Sequence, residues 1–308
     1  MRGTVRKAEN EMRILNFKIG KEQAGKSIGS ILKTEMKLSS GLIARIKLVE
    51  NGITLNGENV HTNKKVSAGD EIAALIGESA VSGGRLPYEI LFEDEDILII
   101  NKPAGCAVHG SRYDDSVPSI EDVVNEYFGT SGMFHPVNRL DKGTTGVMSI
   151  AKNGYMHERL IEILHTGRFE RRYVGIAEGN FAENEMQGCI DLPIARLEGS
   201  AIRRIVDENG SRAVTHYKVI KNLKGRAFVE FLLETGRTHQ IRVHMAASGH
   251  PLTGDWLYGK EEKELIPRPC LHSESLKFIH PLTGKEIYAE ADIPDDMKKL
   301  LNENSGER

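Results

Sequence analysis

A chain of 308 residues has room for two domains, or for one large domain with an appendage, and either can bury an ample core. Its 39% hydrophobic and 28% charged residues are those of an ordinary soluble protein; no apolar run approaches the roughly 18 residues of a membrane span. The net charge of −3 weighs mildly against a nucleic-acid binder, so the distribution of charge has to be read segment by segment. Residues 1 to 11 are polar, with no apolar core of a secretory signal, and are expected to fray. Cys106, Cys189 and Cys270 are odd in number and widely spaced, which suits a reducing cytosol better than a disulfide framework or a zinc pair.

From Met12 to Gly77 there are ten Lys/Arg against six Asp/Glu, a local charge of +4 in a chain that is negative overall. Ile28, Ile31 and Leu32 predict a helix over 24–34. Ser39 or Ser40 can cap a second helix that turns Leu42, Ile43 and Ile46 inward and Arg45 and Lys47 outward. Asn51-Gly52 ends it; Ile53 to Leu55, the Asn56-Gly57 turn and Val60 form a hairpin, and Ile72 to Leu75 a closing strand. The positive face reads equally as a solvated helix surface or as an anion-binding one. Two short helices followed by small strands, with Val-Glu-Asn-Gly-Ile-Thr-Leu-Asn-Gly at the join and Val-Ser-Ala-Gly-Asp-Glu-Ile at the end, resemble the S4 RNA-binding domain. That resemblance implies an RNA-binding unit over 12–77 with Arg45 and Lys47 against phosphate.

Residues 78–86 are rich in Gly and Ser and read as a flexible linker spanning on the order of 16 Å. The second domain, expected over 87–302, opens with strands at Ile90–Phe92 and Ile97–Ile100 joined by the acidic turn Glu93 to Asp96. That turn reads as a solvated hairpin tip, with a metal site as the alternative. Ser119-Ile-Glu-Asp122 is a capping-box signature ahead of the apolar stripe Val123, Val124, Tyr127 and Phe128. Further elements are a helix over 155–165, strands over 168–177, 214–220 and 228–233, and a short helix over 295–301. Strands outnumber long helices and often follow one another without a helical crossover. The expected class is α+β, with a mixed, largely antiparallel central sheet flanked by helices.

Three stretches of this domain carry reactive side chains. His135 to Asn153 delivers Arg139 and Asp141 in a turn and then enters the apolar strand Val147 to Ala151. Alone, it reads as readily as a charged surface turn closed by an Arg139–Asp141 pair. Arg171-Arg172-Tyr173-Val-Gly-Ile-Ala177 places Tyr173, Gly175 and Ala177 on one strand face, where the small residues leave room for a flat ring on the tyrosine. A tyrosine in a strand is more often core. Glu234 to Gly259 packs Arg237, His239, Gln240, Arg242 and His244 into eight residues. The helix-spaced His pair with an intervening Glu that marks a metalloprotease is absent.

Taken together, Arg-Leu-Asp-Lys-Gly-Thr-Thr-Gly-Val, Arg-Arg-Tyr and Gly-Arg-Thr-His-Gln-Ile-Arg-Val-His resemble the signature stretches of the RluA-type pseudouridine synthases, and the likeness runs from about Met12 to Leu301. It implies isomerisation of uridine in RNA, in which the N1–C1′ bond breaks and C5 joins C1′ after the base leaves its stack. Asp141 would be the carboxylate at the sugar carbon, Tyr173 would stack on the base, and Arg242 would pair with Asp141 in a dry site. Arg139, Arg237, His239 and Gln240 would bind RNA or shape the site. An isomerisation requires no cofactor and no metal. The expected partner is ribosomal RNA, with tRNA second, and the expected protein is a cytoplasmic monomer with no membrane association. Asn138, Lys142-Gly143 and Trp256 depart from the family pattern. Two other readings stay open: a non-catalytic RNA-binding or assembly factor, and a metal-dependent hydrolase built on Glu93–Asp96 and the histidines.

Overall fold

The computed structural model describes residues 11–79, 84–110, 117–129, 134–164 and 166–303. The expected fraying of the N-terminus and the middle of the expected linker, residues 80–83, lie outside them.

The N-terminal part comprises β1 (Glu11–Lys18), α1 (Ile28–Thr34), α2 (Ser40–Ile46), β2 (Ile53–Leu55), β3 (Glu58–Asn59) and β4 (Glu71–Ser79). Its antiparallel sheet runs β1-β4-β2-β3 and packs against both helices through Ile28, Ile31, Leu32, Leu42, Ile43 and Ile46. Strand β1 is not announced by its pattern. It alternates, but with Met12 and Ile14 exposed and Arg13 on the inner face, so its hydrophobic pattern is inverted at one end. Helix α1 begins four residues later than expected, because the Ser27 side chain accepts from Ser30 N–H and sets the cap there. Gly52 is needed after α2: a Cβ there would lie 1.9 Å from the Ile46 carbonyl oxygen.

The rest of the chain forms β5 (Ile90–Glu93), β6 (Ile97–Lys102), α3 (Ile120–Tyr127), β7 (His135–Pro136), β8 (Thr145–Ala151), α4 (Gly154–Leu164), β9 (Phe169–Glu178), β10 (Gln187–Asp191), β11 (Ile194–Arg196), β12 (Arg204–Val206), β13 (Val214–Asn222), β14 (Arg226–Leu233), α5 (Gln240–Ala247), β15 (Leu271–Ile279), β16 (Glu286–Glu290) and α6 (Asp295–Glu303). The main sheet runs β10-β13-β14-β9-β15-β8-β6-β5, with β16 on β15 and β7 on β8. Among the described residues only β15 and β8 pair in parallel, which bears out the mixed, largely antiparallel sheet. The unbroken run Ile97-Leu98-Ile99-Ile100 fits because both faces of β6 are covered. Leu98 and Ile100 pack toward α3, Ile97 and Ile99 toward α4.

The acidic turn Glu93 to Asp96 is not a solvated tip, because basic partners cover it. Asp96 is 2% exposed. It accepts from Arg13 Nε and Nη2 at 3.1 and 2.8 Å, and from Asn153 Nδ2 at 3.0 Å. Glu93 meets Lys152 at 2.7 Å, and Asp94 lies 3.2 Å from His280. Among the described residues no three His, Cys, Asp or Glu side chains are gathered as metal ligands. Arg13 belongs to β1, so the turn ties the N-terminal sheet to the main one. Tyr155 makes a second tie: its ring joins the N-terminal core and its hydroxyl donates to the Met36 carbonyl at 2.9 Å. No helix among the described residues is long and apolar enough to cross a membrane.

Candidate active site

Asp141 sits in the turn between β7 and β8, and buried cations hold that turn from below. Lys102, fully buried at the end of β6, donates to the carbonyls of Pro103, Cys106 and Lys142 at 2.8, 3.0 and 3.4 Å. Burial pulls its pKa down to about 8. Arg268 binds Asp296 through two nitrogens and reaches the carbonyls of Gly143 and Leu271 at 3.2 and 3.1 Å. Just upstream, Asn138 accepts from Ser149 N–H and Oγ–H and donates to the Val147 carbonyl. Gly146, at φ +106°, lets β8 pass β15; a Cβ there would lie 2.1 Å from the Ser273 carbonyl oxygen.

Arg242 comes from α5, 101 residues away in sequence. Its Nε and Nη2 fork onto Asp255 at 2.7 and 2.8 Å, and its Nη1 reaches Asp141 Oδ2 at 3.4 Å. One guanidinium thus serves a fully buried carboxylate and a second whose side chain is 25% exposed. The two carboxylates together hold the Arg242 pKa above its ordinary value. His239 takes a left-handed backbone, φ 59°, at the start of α5 and brings Nε2 to 3.9 Å from Asp141. Burial pushes its pKa down, so the ring is neutral near pH 7. The Tyr258 hydroxyl accepts from Arg204 N–H at 2.9 Å and lies 2.8 Å from His239 Nδ1. Its own proton is then free to go to Nδ1, which leaves the imidazole proton on Nε2, facing Asp141.

Tyr173 rises from β9 into the same cavity. About 430 Å3 in volume, it is lined by Asp141, Arg139, Arg171, Tyr173, Arg242 and Leu271, among others. Burial raises the phenol pKa, opposed first by the Arg171 charge, and keeps the ring protonated. The three residues expected to do chemistry therefore meet at one opening. Arg139 and Arg237 are exposed at its rim.

Several expectations need correction. Gly175 and Ala177 do not make space over the tyrosine. A Cβ on Gly175 would meet the Cys270 carbonyl oxygen at 2.9 Å, and Ala177 is buried in the core. The Gln240 amide is used inside the protein: its oxygen accepts from Thr235 Oγ1 and Arg237 N–H, and its nitrogen donates to Val214 O and Thr215 Oγ1. It fastens the turn before α5 to β13 and has no free atom for RNA. His244 is likewise buried, between Thr215 and the Leu192 carbonyl. The basic stretch is helical from Gln240 onward.

Three contributors lie outside the residues expected to form the site. Asp255 orients Arg242. Lys102 grips backbone carbonyls, partners that a sequence does not name. Arg171 lines the cavity, buried, with Nε unpartnered and Nη2 only 3.3 Å from the Leu233 carbonyl. A signal for it does exist: two positions before Tyr173 on a strand is the same face.

A carboxylate paired with a buried arginine, a protonated phenol and further cations around one opening make this cavity the candidate active site. The family model of RNA pseudouridylate synthase matches residues 96–247. Two Bacillus subtilis proteins described as uncharacterized RNA pseudouridine synthases, YjbO and YhcT, are each 40% identical, covering 87% and 93% of this chain and 95% and 96% of their own. The ribosomal large subunit pseudouridine synthase D of Zymomonas mobilis is 38% identical over 70% of this chain and 72% of its own. Human RNA pseudouridylate synthase domain containing 4 superposes with a TM-score of 0.55 at 25% identity, covering 71% of this chain and 94% of that one. The chain belongs to the RNA pseudouridine synthases, in their RluA-type branch, and is an isomerase acting on RNA.

Proposed function

We propose that this enzyme converts specific uridines of large-subunit ribosomal RNA to pseudouridine, with Asp141 at the glycosidic carbon. The observation that carries the reading is the convergence of Asp141, Tyr173 and Arg242 on one cavity. In the reaction the N1–C1′ bond breaks, the freed uracil turns, C5 bonds to C1′, C5 gives up its proton and N1 gains one; nothing is oxidised or reduced. Asp141, paired with the Nη1 of Arg242, acts at C1′ as the base departs. Tyr173, protonated and buried, offers a flat platform and a proton donor that stays neutral, while the buried Arg171 in the cavity wall adds positive charge beside it. The choice of ribosomal RNA is supported by relatives named for the large ribosomal subunit; tRNA is the second candidate.

On this reading the N-terminal unit is an S4-like arm that lays Arg45 and Lys47 of α2 on phosphate, and the enzyme works as a cytoplasmic monomer without a cofactor. Pseudouridine is mapped in total RNA from cells lacking the protein and complemented with wild type or Asp141→Asn. Wild type restores the lost sites and Asp141→Asn, folded by circular dichroism, restores none, with a rate reduced by more than about a thousandfold on purified RNA. Full restoration by Asp141→Asn would instead identify a non-catalytic RNA-binding factor.

A further inference from the structure

Beside the catalytic cavity lies a second one, of about 300 Å3, and Arg237 and Thr238 belong to the walls of both. Its far side is the short β11–β12 hairpin, closed underneath by Gly210 and Ser211. Arg196 and Arg204 line it as direct register partners across the hairpin, and Arg237 is the third cation. No acidic side chain lines the cavity, and among the described residues none of the three arginines makes an ion pair. Their hydrogen bonds are to backbone carbonyls: Arg204 to those of Ile202 and Arg203, Arg237 to that of Arg212.

Like charges placed directly opposite each other on an antiparallel pair destabilise it. The hairpin nevertheless pairs two arginines in register, and Arg237 adds a third to the same cavity. An anion with several oxygens relieves that repulsion; guanidinium forks match phosphate and carboxylate oxygens alike, and an RNA substrate supplies the phosphate. The site is also wired to the chemistry. The Arg204 backbone N–H holds the Tyr258 hydroxyl, which holds His239, 3.9 Å from Asp141.

We propose that this cavity holds a phosphodiester group of the RNA next to the target uridine, so that Arg196, Arg204 and Arg237 fix the strand while the base enters the neighbouring pocket. The assignment deepens the proposed function and rests on RNA being the substrate. Phosphate contacts fix register without reading sequence, which suits an anchor beside a flipped base.

The test uses the full chain and a fluorescein-labelled RNA hairpin with uridines in its loop, plus a series carrying one neutral methylphosphonate at each loop linkage. Wild type loses about tenfold in affinity when one particular linkage is neutralised, the size of one charge-assisted hydrogen bond. Arg196→Gln/Arg204→Gln loses about tenfold on the unmodified hairpin, no more when that same linkage is neutral, and its salt slope falls by about 0.7. Arg196→Lys/Arg204→Lys keeps the slope, which separates lost charge from a damaged hairpin. An unchanged affinity and slope in the Gln pair, or equal losses at every linkage, overturns the site. Pseudouridine formation is read on the same RNA: binding that behaves as expected with no product sinks the proposed reaction and leaves the phosphate site standing, whereas product with an unchanged slope sinks the site alone.

Discussion

Arg242 stands between two carboxylates, and the stronger grip belongs to the one away from the opening. Asp255 takes Nε and Nη2, and accepts further from the Leu257 and Tyr258 N–H groups at 3.1 and 3.2 Å. That fork fixes the guanidinium plane, so that Nη1 points at Asp141 without a search through rotamers. Removing a buried partner leaves an uncompensated buried charge. Asp255→Ala is therefore expected to lower unfolding free energy by about 3–5 kcal/mol, read from urea denaturation. Asp255→Asn, which keeps an acceptor for the two N–H groups, should lose less. A loss below about 1 kcal/mol for the alanine variant would mean that Arg242 is held chiefly by Asp141.

Much of the site is legible residue by residue, because its side-chain types sit in compact stretches: Asp141 behind Arg139, Tyr173 within a strand, Arg242 in a basic run. Their meeting cannot be read from spacing, since it is made by β8 and β9 lying on either side of β15 and by α5 folding back over the sheet. Asp255 is visible in the sequence but its weight is not, as nothing in one sequence tells a turn-forming aspartate from one aimed at an arginine.

At the scale of elements, α5 shows why local pattern fails at functional positions. Every residue from Gln240 to Met245 is buried, polar and apolar alike, so the helix has no amphipathic stripe to announce it. Strands β11 and β12, at three residues each, are too short for alternation to register. Helix α2 is clear by contrast: Ser39 caps it, Leu42, Ile43 and Ile46 are buried, and Arg45 and Lys47 are exposed at its end with no ion pair among the described residues. Neutralising both, as Arg45→Gln/Lys47→Gln, should weaken RNA binding and flatten its dependence on salt by about 0.7 for each phosphate no longer neutralised. A titration of labelled RNA from low to high salt checks this; an identical slope would remove α2 from the RNA surface.

For the molecule as a whole, burial leaves a mark on its response to acid. His135, His239, His244 and His272 all have pKa values pushed down, in each case first by desolvation. The folded state binds these protons less readily than the unfolded chain, whose histidines titrate near 6.5. Their contribution to stability is thus complete above about pH 6.5 and is lost as pH falls through the depressed folded values, by up to about 1.4 kcal/mol per pH unit for each ring that stays neutral. Urea midpoints measured from pH 7.5 down to 5 should decline steadily, well above the range in which carboxylates titrate. A flat profile would show that the rings admit protons without strain.

The ties made by Arg13 to Asp96 and by Tyr155 to Met36 have a consequence for which RNA can be served. They tie the unit that carries α2 to the sheet that positions Asp141, as the two jaws of a calliper. With α2 on phosphate as proposed, a uridine is chosen by how far it lies, through folded RNA, from a backbone segment able to meet the other jaw. Selection of this kind measures distance rather than spelling, and two transcripts with unrelated letters but the same gauge would be treated alike.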